Sequence, residues 1–363
     1  MFYVLFALVF LLPIPGAVYI AKHFYRTKPL QRLKQNHKKL AIAASLLPIV
    51  VCLLFAFVNI TTAAIILFHL IVLLLLCDLI ALIFRKCTKK AVSPDVIWIV
   101  ATVLTAVLLV WGNLTARNIH ATHYTVETEK PIGTPFRVAL ISDTHIGVTL
   151  NAENFPKLLE RIVAEKPDVL LIGGDFIDES SPWPDTEAAC TALGKLDIPY
   201  GVWFVYGNHD GGSFRNRQER KEQLTRLLEQ NGIGILEDSS TELRDGLVLI
   251  GRADKSAKTR LPIEALMQDI VPEAYTIVLD HQPNDFNAEA AAGADLVLCG
   301  HTHGGQIFPA GPIGMIAGMN DLLYGTEKRG NTTFIVSSGA AAWSIPFRTG
   351  SKSEYVIVDI DPK

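Results

Sequence analysis

The first 112 residues alternate between long apolar runs and short polar segments. Four runs, at 1–21, 40–58, 63–84 and 96–112, contain almost no charged residues. A helix needs about 20 mostly apolar residues to cross the hydrocarbon core of a bilayer, so each run predicts a membrane span. The first run contains prolines and could be a signal peptide, but the three runs that follow it favour membrane anchoring.

Beyond residue 136 the pattern changes to short apolar runs that alternate with amphipathic stretches. Residues 137–142 and 168–172 are continuous apolar runs, typical of strands buried on both faces, and 153–166 has leucine and isoleucine at helical spacing. Strands outnumber helices in the second half, which favours an α/β fold with a mixed sheet or two packed sheets. A charged helix is predicted at 216–230, and further strands at 201–206, 247–250, 275–279, 296–299, 333–337 and 355–360.

Charge separates the same two regions. Residues 1–112 carry 11 Lys and Arg and two acids, a net +9, whereas the rest of the chain carries 22 bases and 34 acids, a net −12. The basic residues cluster after the first and third apolar runs, and Lys and Arg near span ends favour the cytoplasmic side. We therefore predict that the N-terminus and everything after Gly112 lie outside the cytoplasm. The acidic second region argues against nucleic acid as a partner.

Side chains that commonly bind metals directly follow five of the predicted strands. Ligands gather outside the carboxyl ends of strands in open α/β sheets, so we expect these side chains to converge. Five of the ten histidines belong to this set, although any one of them alone would more readily be a structural or surface histidine. The motifs are DTH at 143–145, GDFID at 174–178, GNHD at 207–210, DH at 280–281 and GHTH at 300–303.

The residue types indicate the chemistry. Imidazole and carboxylate ligands without thiolates suit zinc, manganese or iron. Seven ligands are too many for one ion that keeps a position open for substrate, whereas two ions that share a carboxylate would accommodate them. Two ions about 3.5–4 Å apart can generate a hydroxide nucleophile and clamp both oxygens of an in-line displacement, as phosphoester hydrolysis requires. The candidates are Asp143, His145, Asp175, Asn208, His281, His301 and His303.

These motifs, in this order, resemble the calcineurin-like metallophosphoesterase superfamily over residues 136–363. GDFID and GHTHGGQ are closest to a bacterial membrane-associated or exported branch of these phosphohydrolases. The resemblance implies a four-layer α/β/β/α sandwich. It also implies that Asp175 bridges two metal ions, one held with Asp143, His145 and His303, and the other held with Asn208, His281 and His301.

The resemblance further implies that His209 faces the substrate, as a general acid or as a group that stabilises the phosphoryl oxygens, and that Asp210 orients it. Glu179 and Asp210 stand where Ser/Thr protein phosphatases carry Arg and Glu, and Asp178 stands where purple acid phosphatases carry a Tyr ligand. Both subfamilies are therefore disfavoured. Asp178 is expected to hold a metal ligand by a hydrogen bond, with a surface turn acid as the alternative.

Two weaker features lie near these motifs, and the GHTH motif itself implies a turn. Arg252 directly follows a strand and could bind substrate phosphate, or it could belong to a solvated basic loop. The apolar stretch 308–324 could pack as an ordinary loop, cover an acyl or isoprenoid chain, or rest on the membrane. His301 and His303 would point to opposite sides of an extended backbone, so the chain must turn there, which the flanking glycines would permit.

The sequence therefore predicts an all-α membrane domain with four transmembrane helices at 1–112, a linker at 113–135 and an extracytoplasmic metallophosphoesterase domain at 136–363. Its expected activity is dinuclear-metal hydrolysis of phosphomonoesters or phosphodiesters, lipid-linked ones included, at the cell membrane. The alternative is a non-catalytic membrane sensor or scaffold that uses this fold to bind a ligand.

Overall fold

A computed structural model of the chain describes residues 13–57, 59–211 and 217–363. The chain divides into two units, one ending at Gly112 and the other comprising Asn113–Lys363. The helices of the first unit are α1 (Pro13–Tyr25), α2 (Lys28–Asn36), α3 (Lys38–Ala44), α4 (Leu47–Leu54), α5 (Ile60–Thr88) and α6 (Pro94–Arg117), the last of which continues into the second unit.

Three helical stretches in the described residues are long and apolar enough to cross a membrane: Lys38–Phe57, Ile60–Thr88 and Pro94–Arg117. They match the second, third and fourth predicted runs. The first predicted run, 1–21, lies mostly outside the described residues, so the count of four spans stays a prediction. Asp78 of α5 accepts a hydrogen bond from Tyr19 at 2.5 Å and lies 3.0 Å from His23 Nε2, which joins α5 to α1.

Two six-stranded sheets, each with parallel and antiparallel pairs, make up the strand framework of the second unit. The first sheet has the order β1-β12-β2-β3-β4-β5, and the second has β10-β11-β9-β8-β7-β6. The strands are β1 (Ile119–Thr128), β2 (Phe136–Ile141), β3 (Val169–Ile172), β4 (Val202–Phe204), β5 (Gly234–Ile235), β6 (Ser239–Arg244), β7 (Leu247–Gly251), β8 (Tyr275–Leu279), β9 (Leu296–Cys299), β10 (Gly325–Arg329), β11 (Thr332–Val336) and β12 (Ser353–Pro362).

Each sheet is buried on both faces, which is why its central strands are continuous apolar runs. The two sheets share one apolar cluster, in which Leu140 and Leu171 of the first sheet join Leu249, Ile277 and Leu298 of the second. Two further apolar clusters join helices to strands: α7 (Phe155–Ala164), α8 (Trp183–Gly194) and α9 (Arg217–Gln230) pack with strands of the first sheet, and α10 (Ile263–Met267) and α11 (Phe286–Ala291) pack with strands of the second.

The structure differs from the sequence prediction in the stretch expected to be a linker. Residues 119–128 form β1, which pairs in parallel with β12 along its whole length. Most side chains of β1 are exposed or half-buried, and the strand contains no apolar run. The pattern of residue types therefore does not reveal it. Strands β6 and β10 escape prediction for the same reason, because they are polar strands at the two outer edges of the second sheet.

Candidate metal centre

Five loops carry the predicted ligands, and each loop follows directly on a strand. Strands β2, β3 and β4 are parallel neighbours in the first sheet, and β8 and β9 are parallel neighbours in the second, so their carboxyl ends meet at one edge of each sheet. Asp143 and His145 follow β2, Asp175 follows β3, Asn208 follows β4, His281 follows β8, and His301 and His303 follow β9.

Asp143, His145 and His303 form a first buried group, whose ligand atoms all lie within 4.8 Å of one another. The Nε2 atoms of His145 and His303 are 3.2 Å apart, and His303 Nε2 lies 3.5 Å from Asp143 Oδ1. Atoms that each lie about 2.1 Å from a tetrahedral metal stand about 3.4 Å apart. The observed spacing is therefore that of ligands around one ion.

Asp175, His281 and His301 form a second group with the same spacing limit of 4.8 Å. His281 Nδ1 lies 2.7 Å from the carbonyl oxygen of Gly173, and a donated hydrogen bond there directs Nε2 toward Asp175 Oδ2, which is 3.2 Å away. A backbone partner of this kind fixes the tautomer of many metal-binding histidines. Asp175 Oδ2 also lies 3.9 Å from His145 Nε2, so the same oxygen faces both groups.

Three polar atoms in and beside the second group need a partner. Asn208 Oδ1, His281 Nε2 and His301 Nδ1 are buried and make no hydrogen bond within the described part of the chain. A buried polar atom without a partner costs about 1–3 kcal/mol, and coordination to a cation would remove that cost. The donors are imidazole, carboxylate and amide groups, which suit borderline divalent ions. These residues therefore fit a metal pair.

Backbone strain is concentrated at the same positions. Nine non-glycine residues in the described ranges have a positive φ, and five of them are predicted ligands, which is the clustering expected of a functional site. They are Asp143 (53°), His145 (35°), Asp175 (51°), His301 (70°) and His303 (50°). The turn within GHTHGGQ is thus made by the histidines themselves as well as by the glycines after them.

Gly300, the glycine before these histidines, is required by close approach. A Cβ at Gly300 would lie 2.4 Å from Asp143 Oδ2, which is closer than non-bonded atoms can approach. The absence of a side chain lets the backbone N–H of His301 donate to both oxygens of Asp143 at 3.0 Å. Gly300 therefore couples the β9 loop of one sheet to the β2 loop of the other.

His209 lies beside both groups, and its partner is Glu179. His209 Nδ1 is 3.5 Å from Glu179 Oε2, its ring centroid is 5.2 Å from that of Trp343, and its backbone N–H donates to Asp175 Oδ1 at 2.8 Å. Burial alone would lower the pKa of His209. The contact with Glu179 and the charge of Asp175 outweigh burial and raise that pKa to about 9, which favours the charged imidazolium.

The prediction that Asp210 orients His209 is wrong in this structure. Asp210 is fully buried and accepts backbone N–H groups from Asp175, Ile177 and Gly207 at 2.7–3.0 Å, so it braces the β3 and β4 loops against each other. Burial and the neighbouring Asp175 raise the pKa of Asp210 to about 7. The sequence places this carboxylate next to His209, but in the fold it contacts the backbone of the β3 and β4 loops.

Asp178 lies against a ligand. Its side chain is buried, and Oδ2 is 3.4 Å from His145 Nδ1, while Oδ1 accepts hydrogen bonds from the backbone N–H and the hydroxyl of Ser180. Burial would raise the pKa of Asp178, but His145 and Ser180 bring it down to about 2. The charged carboxylate of Asp178 contacts His145 Nδ1, and the other ring nitrogen, Nε2, faces the centre of the first group.

Arg252 is placed where it does not fit the predicted role in substrate binding. Its side chain is 1% exposed, and Nη1 lies within 3.2 Å of carboxylate oxygens of Asp280, Asp285 and Glu289. Arg260 also pairs with Asp280, at 2.5 Å. A guanidinium enclosed by carboxylates is not available to a phosphate. Its position next to Asp280 instead supports the loop that carries His281.

Two residues near the centre have no signal in the sequence. Arg348 is fully buried and donates hydrogen bonds to the carbonyl oxygens of residues 303, 338, 339, 341 and 352. It lies in the polar stretch FRTGSKS, which reads as a surface loop. Trp343, beside His209, lies in a stretch of alanines and serines without periodicity. Only the folded chain brings either residue to the site.

The comparisons with known proteins agree with the geometry. Residues 136–305 match the family model for calcineurin-like phosphoesterases. The chain is 30% identical over 270 residues to a metallophosphoesterase of Aquifex aeolicus, covering 71% of this chain and 98% of the relative. It is 31% identical over 233 residues to one of Helicobacter pylori, covering 62% of this chain and 60% of the relative.

A third relative combines such a domain with a membrane region. The chain is 29% identical over 277 residues to a transmembrane protein with metallophosphoesterase domain of Danio rerio, covering 70% of this chain and 61% of the relative. This chain therefore spans about 60% of the length of the Helicobacter pylori and Danio rerio relatives. On the family match and the nearly full-length similarity to the Aquifex aeolicus protein, this chain belongs to the calcineurin-like metallophosphoesterases, a family of phosphoester hydrolases that use divalent metal ions.

Proposed function

We propose that this chain is a membrane-anchored phosphoesterase that hydrolyses phosphomonoesters or phosphodiesters with a pair of divalent ions. The position of Asp175 carries the proposal, because its Oδ2 faces His281 of one ligand group at 3.2 Å and His145 of the other at 3.9 Å. A carboxylate oxygen that faces both ligand groups is placed to bridge two ions. We assign Asp143, His145, Asp175 and His303 to one ion and Asp175, Asn208, His281 and His301 to the other.

Two divalent ions held by these residues, with zinc, manganese and iron suited to the donor set, would activate water near neutral pH and offset charge on the phosphoryl group. The chain's own residues supply the proton donor and the contacts that position it. His209, whose pKa is raised by Glu179 and Asp175 against the effect of burial, is positioned to stabilise a phosphoryl oxygen or to protonate the leaving oxygen. Glu179 and Trp343 hold its ring on two sides, and Asp178 holds His145.

We further propose that the catalytic region, residues 136–363, forms a four-layer α/β/β/α sandwich on the outer side of the cell membrane and that 1–21 is a fourth span. The apolar cluster shared by the two sheets, together with the two clusters that join helices to strands, supports the layers. The basic segments after the first and third apolar runs support the orientation. A substrate linked to lipid would suit an enzyme held at the bilayer.

The experiment uses the full-length chain in detergent with manganese or zinc and a soluble aryl phosphodiester. Asp175→Asn and His301→Ala should each lower kcat/KM by about a thousandfold or more, because each removes several kcal/mol of transition-state stabilisation. Bound metal, measured by mass spectrometry of the purified protein, should fall in parallel. The exposed residues Asp269 and His120 provide matched controls, and Asp269→Asn and His120→Ala should retain activity and metal.

Undiminished turnover in either ligand variant would refute the assignment. The non-catalytic sensor or scaffold makes a different prediction, which is that the wild-type chain binds metal at a stoichiometry near two and turns over neither monoesters nor diesters. The buried and strained ligand set, complete with His209, favours the enzyme.

A further inference from the structure

We propose that residues 308–317, hereafter the rim segment, form a surface that docks on the lipid of the membrane that anchors the chain. The segment includes a short helix, α12 (Ala310–Ile316), and begins five residues after His303. The docking itself does not depend on the proposed phosphoesterase activity.

The rim segment exposes apolar side chains in a cluster. Phe308 is 55% exposed, Ile313 45% and Ile316 89%, and no charged residue occurs from Gly304 to Asn320. Other large apolar side chains that are exposed in the described part of the region from residue 119 onward are more widely spaced along the chain, such as Leu261 at 44% and Val271 at 61%, which are ten positions apart. Scattered exposed residues need no explanation, whereas a cluster of them marks an interaction surface.

Close backbone packing fixes the exposed face of the rim segment. Gly311 and Gly314 are buried on the inner side of α12, and a Cβ at Gly311 would lie 2.6 Å from the Cα of Gly305. This contact seats α12 directly on the turn that follows His303. Phe308, Ile313 and Ile316 consequently remain on the outer side, where no described residue of the chain covers them.

Hydrogen bonds connect the rim segment to the end of the last membrane helix. Asn113, in the part of α6 that belongs to the second unit, donates to the carbonyl oxygen of Pro346 at 2.8 Å. Both ends of the loop around Pro346 bond to Gln306: Trp343 N donates to its side chain at 2.9 Å, and Thr349 N donates to its carbonyl at 2.9 Å. Gln306 lies two residues before Phe308.

The connection between α6 and the first strand of the second unit is short. Only Asn118 separates the end of α6 from the start of β1, and α6 is one of the three stretches able to cross a membrane. The loop around Pro346 is therefore bonded to the end of a helix that is able to cross a membrane. An uncharged apolar cluster held there is suited to the acyl and headgroup boundary, where apolar side chains of interfacial helices lie.

A fluorescence experiment tests the docking on the full-length chain in lipid nanodiscs. Ile316→Trp adds a reporter to the rim segment, and Val271→Trp adds one at an equally apolar, exposed position away from it. The wild-type signal, which contains the native tryptophans, is subtracted. Brominated phosphatidylcholine should quench the fluorescence added at 316 at least twofold more than that added at 271, and acrylamide should quench it less.

Two outcomes would overturn the proposal. Equal quenching by brominated lipid at 316 and 271 would mean that the rim segment stays in water. Protection of position 316 from acrylamide without quenching by brominated lipid would mean that another protein surface, such as a second copy of this chain, covers it.

A second measurement follows turnover and rests on the proposed function. Ile316→Asp should lower hydrolysis of a phosphodiester embedded in the nanodisc about tenfold more than hydrolysis of a soluble aryl phosphodiester, whereas Val271→Asp should affect neither. Equal loss on both substrates would contradict a docking role. If the wild-type chain hydrolyses neither substrate, the proposed function fails, and the quenching result still decides the docking.

Discussion

His209 and Glu179 illustrate how one contact determines the chemistry of a residue. An imidazole that acts as a general acid must be protonated at the working pH and must point at the leaving oxygen. Burial opposes the first requirement because it disfavours the charged form, and the carboxylates of Glu179 and Asp175 restore it. Glu179 is about half exposed, so water screens part of its effect.

We predict that Glu179→Gln lowers kcat about tenfold and leaves KM for a soluble aryl phosphodiester unchanged. The pKa of His209, raised to about 9 with Glu179 present, should fall when the carboxylate is removed. A general acid loses activity as pH rises through its pKa, so the alkaline limb of the kcat profile should move to lower pH. Rates measured from pH 6 to 10 provide the test.

The control for this variant is Glu153→Gln, which changes an exposed glutamate whose side chain is 83% accessible. It should leave the pH profile in place. An unchanged profile in Glu179→Gln would mean that Glu179 does not act through His209, and reduced metal content would mean that it supports the ligands instead.

Among elements, the ends of β7 and β8 are held by a buried ionic cluster rather than by apolar packing alone. Arg252 and Arg260 face Asp280 and Glu289. All four side chains are buried except that of Arg260, which is 11% exposed. Burial and the charge of Asp280 raise the pKa of Glu289 well above its usual range. Removing one cation from such a cluster leaves buried carboxylates without compensation.

We therefore predict that Arg252→Leu lowers the free energy of unfolding of the second unit by about 3–5 kcal/mol. The apparent melting temperature of the full-length protein, followed by intrinsic fluorescence, should drop accordingly, while KM of the fraction that remains folded should be unchanged. Lys258→Leu, at an exposed position in the same basic stretch, should leave the melting temperature unchanged. A raised KM at unaltered thermal stability would instead restore Arg252 as a substrate-binding residue.

For the whole molecule, the distribution of charge predicts the side of the membrane on which the catalytic unit lies. Seven Lys and Arg follow the first apolar run and four follow the third, whereas residues 59–62 between the second and third carry no charge. This alternation favours a cytoplasmic location for both basic segments and an outer location for everything after Gly112.

We predict that protease added to intact cells degrades a C-terminal epitope tag on the full-length chain. A cytoplasmic marker protein should stay intact in the same sample, and permeabilised cells should lose both signals. Protection of the tag in intact cells would reverse the orientation and would direct attention to cytoplasmic phosphoesters.

Local patterns allowed the sequence to predict a large part of this protein. The apolar runs of the membrane region, the buried strands and the ligand-type residues that follow them are each determined within a few residues, because strand burial and loop position depend on local periodicity. The parallel arrangement of strands then predicts that their carboxyl ends converge, so the members of the candidate metal centre could be named without coordinates.

Tertiary structure decided which of those residues touch. The sequence neighbours His209 and Asp210 have different partners: Asp210 accepts backbone N–H groups, whereas Glu179, 30 residues earlier, contacts His209. Arg252 and Arg348 look like loop cations in the sequence and are buried in the fold. Strand β1 is polar and acquires its place by pairing with β12, which lies more than 200 residues later in the chain. In each case the deciding interaction is between segments distant in sequence, and local residue patterns do not encode such contacts.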